Sequence, residues 1–239
     1  MSFLKAEWRK LAMANYAIDK AYLTEYVPFG TELDLWDGKC YASLVGFVFK
    51  NTRLLGVKVP YHIDFEEVNL RFYVKRFENG KWKRGVVFIK EIVPKRALTF
   101  IANTFYNENY ETLPMSHKWS ENEDTRIVEY NWTKFGKENS FQVTTNRESL
   151  EIVSGSETEF ITEHYWGYAK VNKEKSNEYE VTHPKWKAYK VKDYKIDIDF
   201  GTVYGREFDF LNAKKPNSVM LAEGSEITVE NKKTIKMIL

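Results

Sequence analysis

The sequence predicts a mainly β, α+β domain, and three observations carry that prediction. Aromatic residues make up 16% of the 239 residues, with Tyr 15 and Phe 16, and rings of that shape suit pleated, half-buried surfaces. The segment Glu67–Phe77 alternates, with Val68, Leu70, Phe72 and Val74 on one face and Asn69, Arg71, Tyr73 and Lys75 on the other. Asn79-Gly80, the strongest hairpin signal in the chain, follows at once and leads into Lys81–Val93. Two long strands joined by so tight a turn must pair antiparallel.

The other elements follow in chain order. Leu11 to Ile18 reads as a strand, and Asp19 is placed to cap a short helix over Lys20 to Tyr26 that Pro28 and Gly30 stop. Asp37-Gly38 predicts a turn between Glu32 to Trp36 and the long apolar run Cys40 to Lys50. Pro94 opens the best helix, with Ala97, Leu98, Ile101, Ala102 and Phe105 at helical spacing. Strands resume over Thr125 to Phe135 and Ser140 to Thr145. Ser156 with Glu159 forms a capping box before a short helix through His164 and Tyr165. Tyr179–Thr182, Lys187–Asp197, Ser218 to Ala222 and Glu226 to Val229 alternate polar and apolar residues as strands with wet outer faces do. No repeat, linker or composition break divides the chain, so residues 1–239 read as a single domain.

Composition excludes several classes. The charge is +2, from 36 basic and 34 acidic residues, too even for a nucleic-acid or membrane field. Cys40 is the only cysteine, so there is no disulfide framework. The N-terminus MSFLKAEWRK carries charge where a leader needs an apolar core, and a cytoplasmic protein without a membrane span is expected. No glycine-rich phosphate loop, nucleophile elbow or H-E-x-x-H motif occurs. His62, His117, His164 and His183 are scattered without metal-ligand spacing, so neither a metal nor a cofactor is expected.

The candidate residues are polar groups in strands. Asn69 and Arg71 share a strand face about 7 Å apart. If that face is interior, Arg71 is a forked donor suited to a carboxylate; otherwise it faces solvent or pairs with Glu66 or Glu67. Lys90 and Glu91 interrupt the apolar run VVFIKEIV, so one of them turns inward or sits near the strand end. His183, before Pro184 and Trp186, reads as a rigid turn with an aromatic anchor.

Glu32–Phe47 (ELDLWDGKCYASLVGF), Asp64–Val74 (DFEEVNLRFYV) and Arg84–Val93 (RGVVFIKEIV) carry a resemblance that Thr162–Tyr165 and Val181–Trp186 extend. In this order the segments resemble the YqjF-like family of uncharacterised bacterial proteins. The resemblance implies the acetoacetate decarboxylase-like fold: a cone-shaped antiparallel β-barrel with flanking strands, a few short helices and an interior pocket. Its decarboxylases use a Schiff-base lysine after a proline, followed by a second lysine, with glutamates and an arginine around it. The equivalent stretch here is Leu113-Pro114-Met115-Ser116-His117. Met115 and Ser116 stand at the lysine positions, and a thioether cannot form an iminium. Lys118 and Lys90 are the substitute lysines.

Three functions remain open. The first is binding of a small carboxylate or carbonyl compound in the barrel, with Arg71, Asn69, Tyr73 and Met115 as ligand-binding groups. The second is lysine-independent acid–base catalysis, of lyase or hydrolase type, by His117, Glu91 or His183. The third is a structural or interaction module. The superfamily resemblance also leaves a homo-oligomer open.

Overall fold

The Asn79-Gly80 turn adopts positive φ at both positions, 51° and 77°, as a type I′ turn between right-twisted strands requires. It joins β4 (Phe65–Glu78) to β5 (Lys81–Val93), which pair antiparallel from Val68 with Ile92 to Glu78 with Lys81. This hairpin is the centre of the fold. A computed structural model describes residues 2–237, and among them 14 strands form one sheet.

On one side of the hairpin β4 pairs with β3 (Cys40–Leu54), β3 with β1 (Leu4–Ile18), and β1 with β13 (Ser218–Val229). Beyond β13 come β12 (Lys187–Asp197), β9 (Lys137–Glu151), β8 (Thr125–Lys134) and β7 (Met115–Glu121). On the other side β5 meets β10 (Trp166–Asn172), then β11 (Lys175–Thr182) and β14 (Lys233–Lys236). The short β2 (Glu32–Leu33) adds to β4, and β6 (Tyr110–Thr112) to β5. Three short α-helices, α1 (Arg96–Ile101), α2 (Glu157–Thr162) and α3 (Phe200–Tyr204), lie between strands.

The expected closed antiparallel barrel is not what this sheet forms. β5 pairs with both β6 and β10 in parallel, and its contact with β10 covers two residue pairs only. There the backbones close in because position 85 is glycine: a Cβ would lie 2.5 Å from the Trp166 carbonyl oxygen. The sheet coils until β11 touches β13, again over two pairs, Val181 with Val229 and Thr182 with Thr228. Two-residue junctions do not make continuous ladders, and β12 leaves β13 after Ala188 and Tyr189 to follow β9.

The central strands are buried on both faces. Val68, Leu70, Phe72 and Val74 of β4 enter one apolar core with Phe200 and Phe208. Phe65 and Tyr73 enter a second core with Phe47, Phe49 and Phe160. Several boundaries differ from expectation. The segment after Asp19 forms two 3₁₀ turns rather than one helix, although the Asp19 side chain does accept from the Ala21 amide at 2.9 Å. Glu32–Leu33 pairs with β4 instead of forming a hairpin with β3. The helix after Pro94 runs as α1 and then widens into a π turn, Ala102–Tyr106, leaving Ala97 and Phe105 exposed. Ser156 caps α2 through the Glu159 amide at 3.1 Å, but the helix ends at Thr162, before His164. No helix among the described residues is long and apolar enough to cross a membrane.

Candidate functional site

The second face of β4 carries Glu67, Asn69 and Arg71 in succession, two residues apart, so all three project to the same side. They open onto a cavity of about 140 Å³ lined by aromatic and aliphatic side chains, among them Trp8, Phe47, Phe65, Phe88 and Leu98. Ile101, Ala102 and Tyr106, from α1 and the π turn, also line it. All three polar residues are 7% exposed or less.

A β-bulge decides what β5 contributes. Leu70 pairs with Lys90 and Arg71 with Phe88, so Ile89 is the extra residue. Simple alternation from Phe88 would turn Lys90 toward the cavity. The bulge instead sends Ile89 and Lys90 to the opposite side and puts Glu91 beside Phe88 on the cavity wall. The Lys90 Nζ donates to the Val203 carbonyl oxygen at 2.8 Å and pairs with Glu111 at 3.1 Å. Burial lowers its pKa, while Glu111 works against that shift.

One end of the cavity is acidic. Asn69 Nδ2 donates to Glu67 at 2.8 Å, and the Tyr110 hydroxyl to the same carboxylate at 3.3 Å. Glu108 accepts from the Tyr179 hydroxyl at 2.8 Å. Burial pushes the Glu67 carboxyl up to about 7, against the opposing effects of Asn69, Tyr110 and the Arg71 charge. Glu91 is raised well above the usual carboxylate range, first by burial and then by the charges of Glu108 and Glu67. Glu108 is raised to about 7, again chiefly by burial. It is only partly covered, because it also lines a neighbouring hollow of about 310 Å³.

The other end is basic. Arg71 leaves its Nε buried without a partner, and no carboxylate among the described residues lies within ion-pair distance of its guanidinium. Its Cζ lies 5.7 Å from the centre of the Tyr73 ring. His164 is buried between Tyr73 and Phe160, with Nε2 3.1 Å from Asp34 Oδ2. Arg84 Nε donates to the same oxygen at 2.6 Å. Burial would raise the Asp34 pKa, but the bonds from His164 and Arg84 outweigh it and hold the carboxyl below its ordinary value. Burial pulls His164 down to about 4. The imidazole is therefore neutral, Nε2 carries the hydrogen toward Asp34, and Nδ1, which has no partner, presents a bare lone pair.

The residues expected at a site divide between the two sides of the sheet. Arg71, Asn69, Glu91 and His183 line the cavity; His183 stacks on Trp186 at 4.1 Å, and burial lowers its pKa. Tyr73 does not line it: its hydroxyl donates to Ser43 Oγ at 2.8 Å, which in turn reaches Asn15 at 2.6 Å. Met115 and His117 do not line it either. They lie on β7, where Met115 packs against the opposite core and His117 Nδ1 is 2.6 Å from Glu66. Arg71 pairs with neither Glu66 nor Glu67. No lysine lines the cavity among the described residues, and Lys118 is exposed on β7. Sequence reasoning missed Glu67, Glu108, Tyr110, Tyr179 and the His164–Asp34 pair. The Glu67–Asn69–Arg71 spacing carried a signal for the first; Glu108, in an irregular segment, carried none. Among the described residues, no three His, Cys, Asp or Glu side chains converge as metal ligands.

Comparison with known proteins bears on family and fold. A model of the DUF2071 family, described as uncharacterized conserved proteins, matches residues 5–226. The chain belongs to the DUF2071 family. It is 30% identical over 108 residues to the uncharacterized protein YqjF of Bacillus subtilis (strain 168), a match over 45% of this chain and 43% of that protein's length. The YqjF-like resemblance read from the sequence therefore holds. The enduracididine biosynthesis enzyme MppR with HEPES buffer bound superposes with a TM-score of 0.71 at 12% identity, over 99% of this chain and 89% of MppR. Acetoacetate decarboxylase of Legionella pneumophila superposes with a TM-score of 0.65 at 12% identity, over 97% and 86% of the two chains. At such identities these likenesses establish the DUF2071 chain's fold and nothing further.

Proposed function

We propose that this protein binds a small organic carboxylate in the cavity beside β4, with Arg71 as the anchor. The observation that carries the reading is the Arg71 guanidinium, buried at the cavity wall with no carboxylate of the described residues in ion-pair reach. A buried charge without a partner is costly, and a carboxylate ligand meets it with two parallel hydrogen bonds. The apolar lining suits a short hydrocarbon body. MppR, which shares the fold, has been obtained in complex with pyruvate, a small keto acid, and that supports a ligand of this class. Acetoacetate decarboxylation by a Schiff base is not proposed, since no lysine among the described residues lines the cavity.

The test is a thermal-shift screen of small carboxylates, because a ligand that binds only the native state raises the melting temperature. Some members of the panel raise the Tm of the natural chain, and Arg71→Leu abolishes their shifts. Unchanged shifts in Arg71→Leu would remove the anchor.

A second reading, acid–base catalysis on the bound carboxylate, is favoured by the glutamates raised to about 7, close to where proton transfer is most effective. Turnover of a bound carboxylate that Glu67→Gln and Glu91→Gln abolish, with binding retained, distinguishes it from binding alone.

A further inference from the structure

The two ends of the cavity are chemically opposite. At the acid end the unused groups are acceptors. Glu91 Oε2 and Asn69 Oδ1 are buried without partners, and Glu67 and Glu108 stand beside them. Asn69 Nδ2 and Tyr110 are committed to Glu67 and Tyr179 to Glu108, which leaves the Trp8 indole N–H as the one buried cavity donor without a partner besides Arg71 among the described residues. No lysine, arginine or histidine among the described residues forms an ion pair with Glu67, Glu91 or Glu108; Arg71 acts on Glu67 only from a distance. Among the described residues the acid end thus leaves more buried acceptors than donors in a largely apolar space. Either each carboxyl holds a proton or the missing donors arrive with the ligand.

A ketone or ester oxygen brings only another acceptor. An ammonium brings three donors and the balancing charge. A bare metal ion does not suit, since these carboxyls do not converge as a ligand set, whereas an organic cation can bridge more widely spaced oxygens.

We propose that the ligand is a short amino carboxylate whose carboxylate meets Arg71 and whose protonated amine enters the acceptor end formed by Glu67, Asn69 and Glu91. This rests on the carboxylate reading and adds the second pole. No covalent bond to the ligand forms. One of the protons held between Glu67 and Glu91 in the free protein passes to solvent, and the ligand ammonium, with its single charge, takes that proton's place and supplies the N–H donors. The groups that set this balance are Glu67, Glu91, Glu108, Tyr110 and Tyr179 at the acid end, and Arg71, His164 and His183 at the other.

The sign of the pH dependence separates an amine from a carbonyl. An ammonium prefers ionised carboxylates and binds more tightly as pH rises; a carbonyl needs a carboxylic O–H donor and binds more weakly. The probes are three five-carbon acids: valerate, levulinate and δ-aminovalerate, which bear a methyl end, a ketone and an amine. They are titrated calorimetrically into the full chain at about pH 5.5 and about pH 8, where carboxyls raised toward neutrality change charge. δ-Aminovalerate is expected to bind tightest at the higher pH, by about tenfold over its own value at the lower, with release of protons to buffer. Glu67→Gln and Glu91→Gln each remove that gain and leave valerate binding intact. Their melting curves establish that they fold; if one does not fold, the proton release measured on the natural chain decides by itself. If valerate and levulinate bind through Arg71 while δ-aminovalerate binds no better at high pH, the amine proposal is wrong and the carboxylate reading stands. If none of the three binds, both fall.

Discussion

Asn69 on β4 lies directly across from Glu91 on β5, and each leaves one oxygen buried without a hydrogen-bond partner. Two buried oxygens facing each other across a strand pair are a local cost that the fold eases only while the Glu91 carboxyl, raised by burial, keeps a proton to donate. Tolerated costs of this kind gather at functional sites.

The first consequence concerns pH. Glu67 and Glu91 have folded pKa values above their unfolded ones. The native state therefore holds more protons than the unfolded chain between the ordinary carboxylate range and about 7. Their contribution to stability is present in acid and is lost as pH rises through that window. Glu91→Gln, which cannot ionise, should flatten the fall in stability by up to about 1.4 kcal/mol per pH unit. Urea denaturation at several pH values measures it; an unaltered slope would mean that Glu91 is ionised throughout.

His164 behaves in the opposite sense. Its folded pKa of about 4 lies below the ordinary value of 6.5, so the stability it contributes is present above the ordinary value and is lost as pH falls toward 4. In ¹⁵N spectra its Nδ1 should show as an unprotonated nitrogen through neutral pH. Asp34→Asn should cost about 1–3 kcal/mol, because it weakens the acceptor of a buried imidazole N–H and of Arg84. A protonated Nδ1 would reverse the tautomer assigned here.

Gly167 packs against Tyr179 so closely that a Cβ would fall 2.1 Å from the ring's Cζ. Gly167→Ala should displace the ring, break its bond to Glu108 and cost about 1–3 kcal/mol of overpacking. Tyr179→Ala in the same chain removes the obstacle, so the two substitutions should be strongly non-additive in chemical denaturation. Additive losses would show that the ring has room to move.

Arg71→Lys keeps the charge but not the fork. Carboxylate affinity should fall by about tenfold while thermal stability changes little, and calorimetry on any carboxylate that shifts the melting temperature measures this. Equal affinity would mean that the guanidinium acts only as a point charge.

Much of the architecture was legible where local rules dominate. The β4–β5 hairpin was readable because Asn79-Gly80 and the flanking alternation agree. β12 has the bounds its alternation predicts, Lys187–Asp197. That the sheet coils without closing as the expected barrel was not legible, because it depends on contacts between segments distant in sequence, such as Val181 with Val229. At the site, Asn69, Arg71 and Glu91 could be found because polar residues interrupt strands that are otherwise apolar. Met115 and His117 were misplaced because β7, whose pattern is irregular, joins the sheet at β8, on the side away from the cavity. Glu108 and His164 could not be found from spacing, since each reaches the cavity from an irregular connection whose path only the folded chain defines.

The extra residue in β5 reaches further than its local geometry. Because Ile89 is accommodated as a bulge, the chain delivers an acid, not an amine, to the cavity wall. Deleting Ile89 would leave Lys90 across from Leu70 and Glu91 across from Asn69, whereas flattening the bulge with every residue kept would slide Lys90 into the place of Glu91 and reverse the polarity of the chamber. Within this scaffold, the passage between an amine-bearing and an acid-bearing interior is one backbone unit long.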